Sequence, residues 1–585
     1  MATSPFQTHP TQALAQSPLF RLQSEGLSQT ERVRLSYKRA KAVVHAYNLT
    51  AEDIINVSPR YWEFHTDPIL SQDISVATLL TIHYNLCSGT IAMFAAGRPE
   101  LRRVLQQLLS FEVSGQYCLT EIGHGLNAIQ LETTATLLPD GDYELNTPSP
   151  AAAKFMPPMT PCGIPCVAVI MARHMVNGED RGVKPFLVPI HDGQQMHDGI
   201  VSRLLTPRGG SRPINHALTS FHHVRLSRNA LLGEEGKPAQ PRDAFFRNIS
   251  RVISGTLSMG ALGLGTMRIG AYVAGRYSLR RNVVDASSGI SRPIASFSTQ
   301  YTPILTTIAQ VMVFNAFADA SRARFADKTL SLPVRHFTAA VFKTVVTKHS
   351  KDSMLALGDR LGAQGLFEIN QLSVLHGDMR GAAIAEGDIL VISIRFAVDL
   401  LLGRIKPAAS ANPDSLLFRH EQSMIAHLSK VMRDAPSHRD AQLESVLLPQ
   451  CQGLLEAIGY RLAFDAAVTA GLPADIIDMY VASVVDLNPG WYSENAGISC
   501  WDQKMQLLAA AKTLYPRLDE LLTQLNVESY VTAPIVSDHA WDAYVESLDV
   551  YGVPQPYTPT VEQRPAPVEE PVRQQLERHH VRAHL

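Results

Sequence analysis

The feature that most limits how this chain can fold is a change of hydrophobic period inside it. Residues 116–233 are rich in Pro and Gly and break into short runs at 130–138, 167–173 and 184–189, with the turn signal Pro139-Asp140-Gly141-Asp142 directly after the first. On either side the recurrence is helical. Within 73–82, for instance, apolar residues return every three or four positions. The helical period predicts a helix over 29–47 and two or three more over 71–109, broken near Gly97-Arg98-Pro99, after an irregular lead-in of about thirty residues. It resumes after Gly233 and runs to about 548, with breaks at Ser287-Ser288-Gly289, Lys406-Pro407, Asn412-Pro413 and Asn488-Pro489-Gly490. The expected class is therefore α+β, mostly α. Its expected parts are an N-terminal helical domain (1–115), a small central β-domain (116–235), a long C-terminal helical half in two domains (236–430 and 431–550) and a Pro-rich tail (551–585).

Composition excludes several functions. A formal net charge of -2 over 585 residues supplies no field to gather nucleic acid or anionic lipid, so neither is an expected partner. The six cysteines are irregularly spaced, which speaks against a disulfide framework. The closest pair, Cys162 and Cys166, has no second pair or His at zinc-site spacing, so no metal is expected. No uninterrupted run of about 18 apolar residues occurs and the start is polar, so stable membrane insertion is not expected.

Two stretches have the residue types of a reactive site. Thr120-Glu121-Ile122-Gly123-His124-Gly125 is a polar, glycine-broken turn leading to an alternating run over 131–136, a place where backbone can approach a ligand closely. Ala385-Glu386-Gly387-Asp388 precedes an apolar helix over 389–401. A carboxylate there is either a base whose pKa is raised by a dry setting or a helix-start carboxylate facing the dipole. Tyr277-Ser278-Leu279-Arg280-Arg281 reads as the basic end of a helix. The glycines between 255 and 275 fit close helix packing better than an incomplete dinucleotide fingerprint. His83 and Cys87, and the cluster His216, His222 and His223, which lacks an acidic partner at useful spacing, are expected to be core or surface residues.

Taken in order, these blocks resemble the acyl-CoA oxidase and dehydrogenase superfamily over about 67–401: Thr120 to Gly125, Leu131 to Thr136, Thr147 to Lys154, Lys184 to Ile190, His216 to Leu226, Asn229 to Gly233, Tyr277 to Arg281 and Ala385 to Asp388. The resemblance implies FAD as cofactor, an acyl-CoA substrate and dioxygen as oxidant. It implies Glu386 as the base that takes the proton α to the thioester. It sets Thr120, Gly125, Pro158, Arg281, Gln300 and Asp388 at the flavin, with Arg281 reaching the diphosphate of a flavin held mainly by a neighbouring subunit, hence at least a homodimer. The order of elements, the length and an ending Ala583-His584-Leu585 similar to a Ser-Lys-Leu address imply a peroxisomal oxidase of fatty-acid β-oxidation. A dehydrogenase serving a flavoprotein partner, or a divergent scaffold or specialised-metabolism member, is the alternative. Three departures bear on the site: Ala385 where an aromatic residue is usual, Ile389 where asparagine is usual, and Pro158 where a glycine amide would meet the flavin.

Overall fold

The computed structural model describes residues 4–212, 214–437 and 440–552. The Pro- and Gly-rich stretch folds as nine strands: β1 (Ser114–Cys118), β2 (Thr134–Leu137), β3 (Tyr143–Asn146), β4 (Lys154–Pro158), β5 (Cys166–Val176), β6 (Glu179–His191), β7 (Ile200–Leu204), β8 (His216–Phe221) and β9 (Val224–Leu226). They form a sheet in the order β1-β5-β2-β3-β9, with β6 also on β5, and a second sheet β4-β8-β7. β5 is long enough for β1 to pair in parallel with its first half and β2 with its second, while β6 runs antiparallel to it. Inward-facing residues of both sheets, among them Tyr143, Ile170, Phe186 and Phe221, fill one apolar core.

Turn chemistry explains the two main hairpins. Pro139 to Asp142 joins β2 to β3, as the sequence predicts, with Leu137 opposite Tyr143. Asn177-Gly178, both at positive φ, is the two-residue connection of β5 to β6, a pair suited to the tight primed turn that matches strand twist. The strand expected over 130–138 is shorter. Residues Ala128–Gln130 make a 3-10 turn, and the N–H groups of Glu132 and Thr133 are given to the Glu121 carboxylate instead of to a neighbouring strand.

The flanking helices used below are α1 (Gln29–Tyr47), α2 (Ile74–Leu80), α3 (Ser250–Arg280), α4 (Ser298–Ala326), α5 (Leu332–Arg360), α6 (Leu372–Ile384) and α7 (Ile389–Leu401). α1 starts in a capping box in which Ser28 and Glu31 bond each other's backbone, and it ends at Asn48 in the left-handed conformation. The glycines of α3 do serve close packing. A Cβ on Gly260 would stand 2.9 Å from the Lys343 Cα, and one on Gly263 would stand 2.8 Å from Val346 Cγ1, so α3 and α5 cross nearly backbone to backbone. α4 is long and apolar enough to cross a membrane by length and composition, but 72% of its most apolar window is buried within the fold.

The lead-in is more ordered than expected. It holds short helices Gln12–Ala15 and Pro18–Arg21, and Phe6, Thr11, Ala15 and Phe20 are buried. Thr11 Oγ1 donates to Asp67 Oδ2 at 2.5 Å, and Arg21 donates to the carbonyls of Val531 and Ser529. Residues up to Ala540 make one compact unit and a second begins at Trp541. The expected division at 430/431 falls inside the helix Leu416–Arg433, and that at 115/116 falls inside β1. Most of the Pro-rich tail, including Ala583-His584-Leu585, lies outside the described residues.

Candidate active site

The site is built on an irregularity. α2 continues into a π-helical stretch, Thr81–Ser88, a rare conformation found disproportionately at functional sites. Asn85 lies in it, fully buried. Arg251, in the first turn of α3 and only 4% exposed, clamps it. Its Nε donates to the Asn85 carbonyl at 3.0 Å, and its Nη2 donates to Asn85 Oδ1 at 2.7 Å and to the Ile54 carbonyl at 2.9 Å. With its oxygen taken, the Asn85 amide nitrogen donates to the Arg251 carbonyl at 2.9 Å and to Glu386 Oε2 at 3.1 Å. The guanidinium has this room because residue 89 is glycine. A Cβ there would lie 2.5 Å from Arg251 Nε.

Glu386 sits in the turn between α6 and α7, at φ +52°, followed by Gly387 at φ +101°. Its carboxylate lies against Gly255 of α3, where a Cβ would fall 1.2 Å from Oε2. Burial pushes the Glu386 carboxyl up to about 8, while Lys343, the Asn85 hydrogen bond and Arg251 pull the other way. Asp388 has the other role open to an acidic residue before a helix. Its Oδ1 accepts from the N–H of Leu390 at 3.0 Å and of Val391 at 3.2 Å, capping α7. Of the two carboxylates in Glu-Gly-Asp, Asp388 caps α7, while Glu386 caps no helix and is held by Asn85.

The segment after β1 is anchored from below. Glu121 and Lys154, 1% and 0% exposed, form an ion pair at 2.9 Å, and Lys154 Nζ also donates to the Met171 carbonyl at 2.7 Å. The Glu121 carboxylate further accepts from the N–H groups of Glu132 and Thr133 and from the Thr133 hydroxyl. Burial pushes it up, and Lys154 and these hydrogen bonds more than offset that, leaving it below the usual carboxylate range. Thr120, Ile122, Gly123, Gly125 and Leu126 remain exposed above this anchor, and nothing stands within 4 Å of where a Gly125 Cβ would be.

The remaining predicted residues fall elsewhere. Pro158 is buried in β4 opposite His216, at an irregular register, and has no N–H to offer. Arg281 is exposed just past the end of α3. It lies 26 residues beyond Gly255, about 39 Å along a helix, so it cannot reach the neighbourhood of Glu386 in its own chain. Gln300 is near Arg281, with its amide nitrogen donating to Ser278 Oγ at 2.9 Å and to the Arg360 carbonyl at 2.8 Å, so its donors serve the fold. His83 is a core residue, bonded to the Leu108 carbonyl and the Gly115 N–H. His216 is buried and bonded to the Met156 carbonyl at 2.5 Å, while exposed His223 does have an acidic partner, Glu144 at 3.2 Å, because β3 and β9 are neighbours.

Nothing in the sequence marks Asn85, Arg251, Gly255 or Lys343 as site residues. The nearest signal is glycine at 89 and 255, where a helix would ordinarily favour a larger residue.

Residues 257–401 match the family described as acyl-CoA oxidase, C-alpha1 domain. Human peroxisomal acyl-coenzyme A oxidase 3 is 24% identical over 405 residues, covering 64% of this chain and 57% of its own, and Arabidopsis thaliana peroxisomal acyl-coenzyme A oxidase 1 is 25% identical over 310 residues, covering 49% and 46%. Acyl-CoA oxidase 1 of Yarrowia lipolytica superposes with a TM-score of 0.78 at 16% identity, over 98% of this chain and 92% of its own. In sequence the chain is similar to acyl-CoA oxidases, most specifically over the C-alpha1 segment 257–401. It has the acyl-CoA oxidase fold, and it spans about half the length of the curated relatives it matches. The Caenorhabditis elegans acyl-CoA oxidase-1 solved with FAD and ATP superposes with a TM-score of 0.74 at 15% identity, over 98% and 93%.

Proposed function

We propose that this chain is an FAD-dependent acyl-CoA oxidase that converts an acyl-CoA thioester to the trans-2-enoyl thioester, acting as at least a homodimer. The observation that carries the reading is Glu386, an uncapped carboxylate held by Asn85 in a niche that only glycine at 255 leaves open, with its pKa raised to about 8. A carboxylate needs raised basicity to take the weakly acidic proton at C2 of a thioester, and the same dry setting raises it. The Glu386 backbone N–H enters no backbone or side-chain bond among the described residues, which suits it to donate to the thioester oxygen as negative charge grows there.

The residues present fit FAD in part. Exposed Thr120 and unobstructed Gly125 leave an approachable edge, and Arg281 stays exposed although Arg276 and Arg280 before it pair with Asp519 and Asp538. Arg281 suits a diphosphate through its forked donors. Asp388 and the Gln300 amide donors act within the fold, and Pro158 offers no donor, so the first three residues are the ones proposed to hold the cofactor. FAD, when bound, supplies the hydride acceptor and the route by which electrons reach dioxygen, giving hydrogen peroxide. The distance between Glu386 and Arg281 supports a site completed by a second copy of the chain. Ala583-His584-Leu585, outside the described residues, is proposed as a peroxisomal address, in keeping with the peroxisomal names of the relatives.

Anaerobic addition of acyl-CoA to Glu386→Gln tests the reading. The variant is expected to carry FAD and to leave it yellow, and full bleaching would remove Glu386 as the base. Rapid reoxidation of the bleached wild-type protein in air is the oxidase outcome, whereas reduced flavin surviving for minutes assigns a dehydrogenase.

A further inference from the structure

Lys343 is fully buried in the middle of α5 and has no carboxylate within ion-pair distance among the described residues. Its ammonium donates to the carbonyl of Ala385 at 2.5 Å and to that of Gly387 at 2.5 Å, the residues on either side of Glu386. The carbonyl between them, that of Glu386, accepts from Thr256 Oγ1 of α3 at 2.8 Å. Three consecutive carbonyls are thus satisfied by side chains from two helices, and none by the turn's own backbone. The turn needs such support because Glu386 adopts the left-handed conformation, unfavourable for a residue with a Cβ, with Gly387 also at positive φ. A buried ammonium is costly unless it meets strong acceptors or a charge, and the charges closest to this one are on Glu386 and Asp388.

We propose that Lys343 is a positioning residue for the base: it holds the 385–387 turn in the conformation that aims Glu386 at its niche, and its charge favours the ionised carboxylate. This rests on Glu386 being the base. Burial lowers the Lys343 ammonium, and the charges on Glu386 and Asp388 oppose that fall. The other charged or titratable groups that act on Glu386 are Arg251 of α3, Tyr117 of β1 and Tyr61. Of these, Arg251 is the second cation favouring ionisation. Lys343 differs from Arg251 in holding the backbone of the base itself.

The test uses full-length holoenzyme and three variants. In Lys343→Met the acidic limb of the kcat/KM profile is expected to move up by about one pH unit, with the plateau rate lower by at least about tenfold. In Lys343→Arg, which keeps the charge, the limb is expected within about 0.3 pH unit of wild type even where the rate falls. A second readout is independent of turnover. The infrared band of the protonated Glu386 carboxyl, assigned by its loss in Glu386→Gln, is expected to persist to higher pH in Lys343→Met than in wild type. A limb that stays in place in Lys343→Met, or a Glu386 carboxyl band lost at the same pH as in wild type, overturns the proposal. Where Lys343→Met is not recovered folded, Lys343→Gln, which keeps a donor to the carbonyls without charge, is held to the same criteria. A failed base assignment is told apart by Glu386→Gln itself, which then bleaches.

Discussion

A single methyl group at residue 255 is enough to probe the site. Gly255→Ala would put a Cβ 1.2 Å from Glu386 Oε2, so the carboxylate must leave its place beside Asn85. Alanine is the better helix former by about 1 kcal/mol, so α3 itself does not suffer. The expected result is a bleaching rate with acyl-CoA lowered by about a hundredfold or more, with a near-normal thermal unfolding profile. Glu386 also predicts a pH dependence of stability. Its folded pKa is about 8 against an ordinary 4.5, so between those values the folded protein keeps a proton that the unfolded chain has released. Stability contributed by the buried neutral acid is therefore lost as pH rises through that window, and the loss is complete above it. Glu386→Gln abolishes the titration. Its stability relative to wild type is expected to grow by roughly 1–3 kcal/mol between pH 5 and pH 8 and then level off, as followed by denaturant unfolding. The two acidic residues of the Glu-Gly-Asp segment look alike in sequence. Which one caps α7 and which one is free depends on the positive φ at Glu386 and on Lys343 and Thr256, neither of them a neighbour in sequence.

At the scale of elements, the buried Glu121–Lys154 pair joins the segment after β1 to the start of β4 and sets where the exposed Thr120–Gly125 edge stands. Lys154→Met removes one partner and leaves a carboxylate uncompensated in the core, a change worth about 3–5 kcal/mol in stability. Lys154→Met combined with Glu121→Leu is expected to recover much of that loss, since two apolar side chains leave no buried charge. Urea unfolding of the three proteins measures the difference, and a double variant no better than the single one would show that the pair is not a coupled unit. The strands themselves were legible where alternation and turn residues agreed, as in β2–β3 and the core of β5 and β6. The length of β2 was not, because Glu121 takes N–H groups that a ladder would otherwise use, and Glu121 is eleven residues away.

For the whole molecule, the central prediction concerns two copies. Arg281 and Glu386 lie at opposite ends of α3, so a flavin that meets both must lie between chains. Arg281→Glu and Glu386→Gln proteins are each expected to be nearly inactive. Unfolded together and refolded as a mixture, they are expected to regain about a quarter of wild-type turnover, since half of randomly paired dimers are mixed and each mixed dimer holds one intact site. No recovery in demonstrably mixed dimers would mean that both residues act within one chain or that Arg281 has no part.

The sequence by itself determined the succession of helical, β and helical segments, the tight turns, the polar stretch at Thr120–Gly125 and the candidate carboxylate at 386. All of these are local: a period of 2 or 3.6, a proline, a glycine, or a short motif is readable within a dozen residues. Tertiary structure alone decided what surrounds that carboxylate. Asn85 reaches it across 301 positions of sequence, Gly255 gives it space, Lys343 holds its turn, and Arg281 is carried away from it by the length of one helix. The physical reason is that a base is defined by its surroundings. Burial and neighbouring charges set its pKa, and those come from whichever distant segments the fold packs against it.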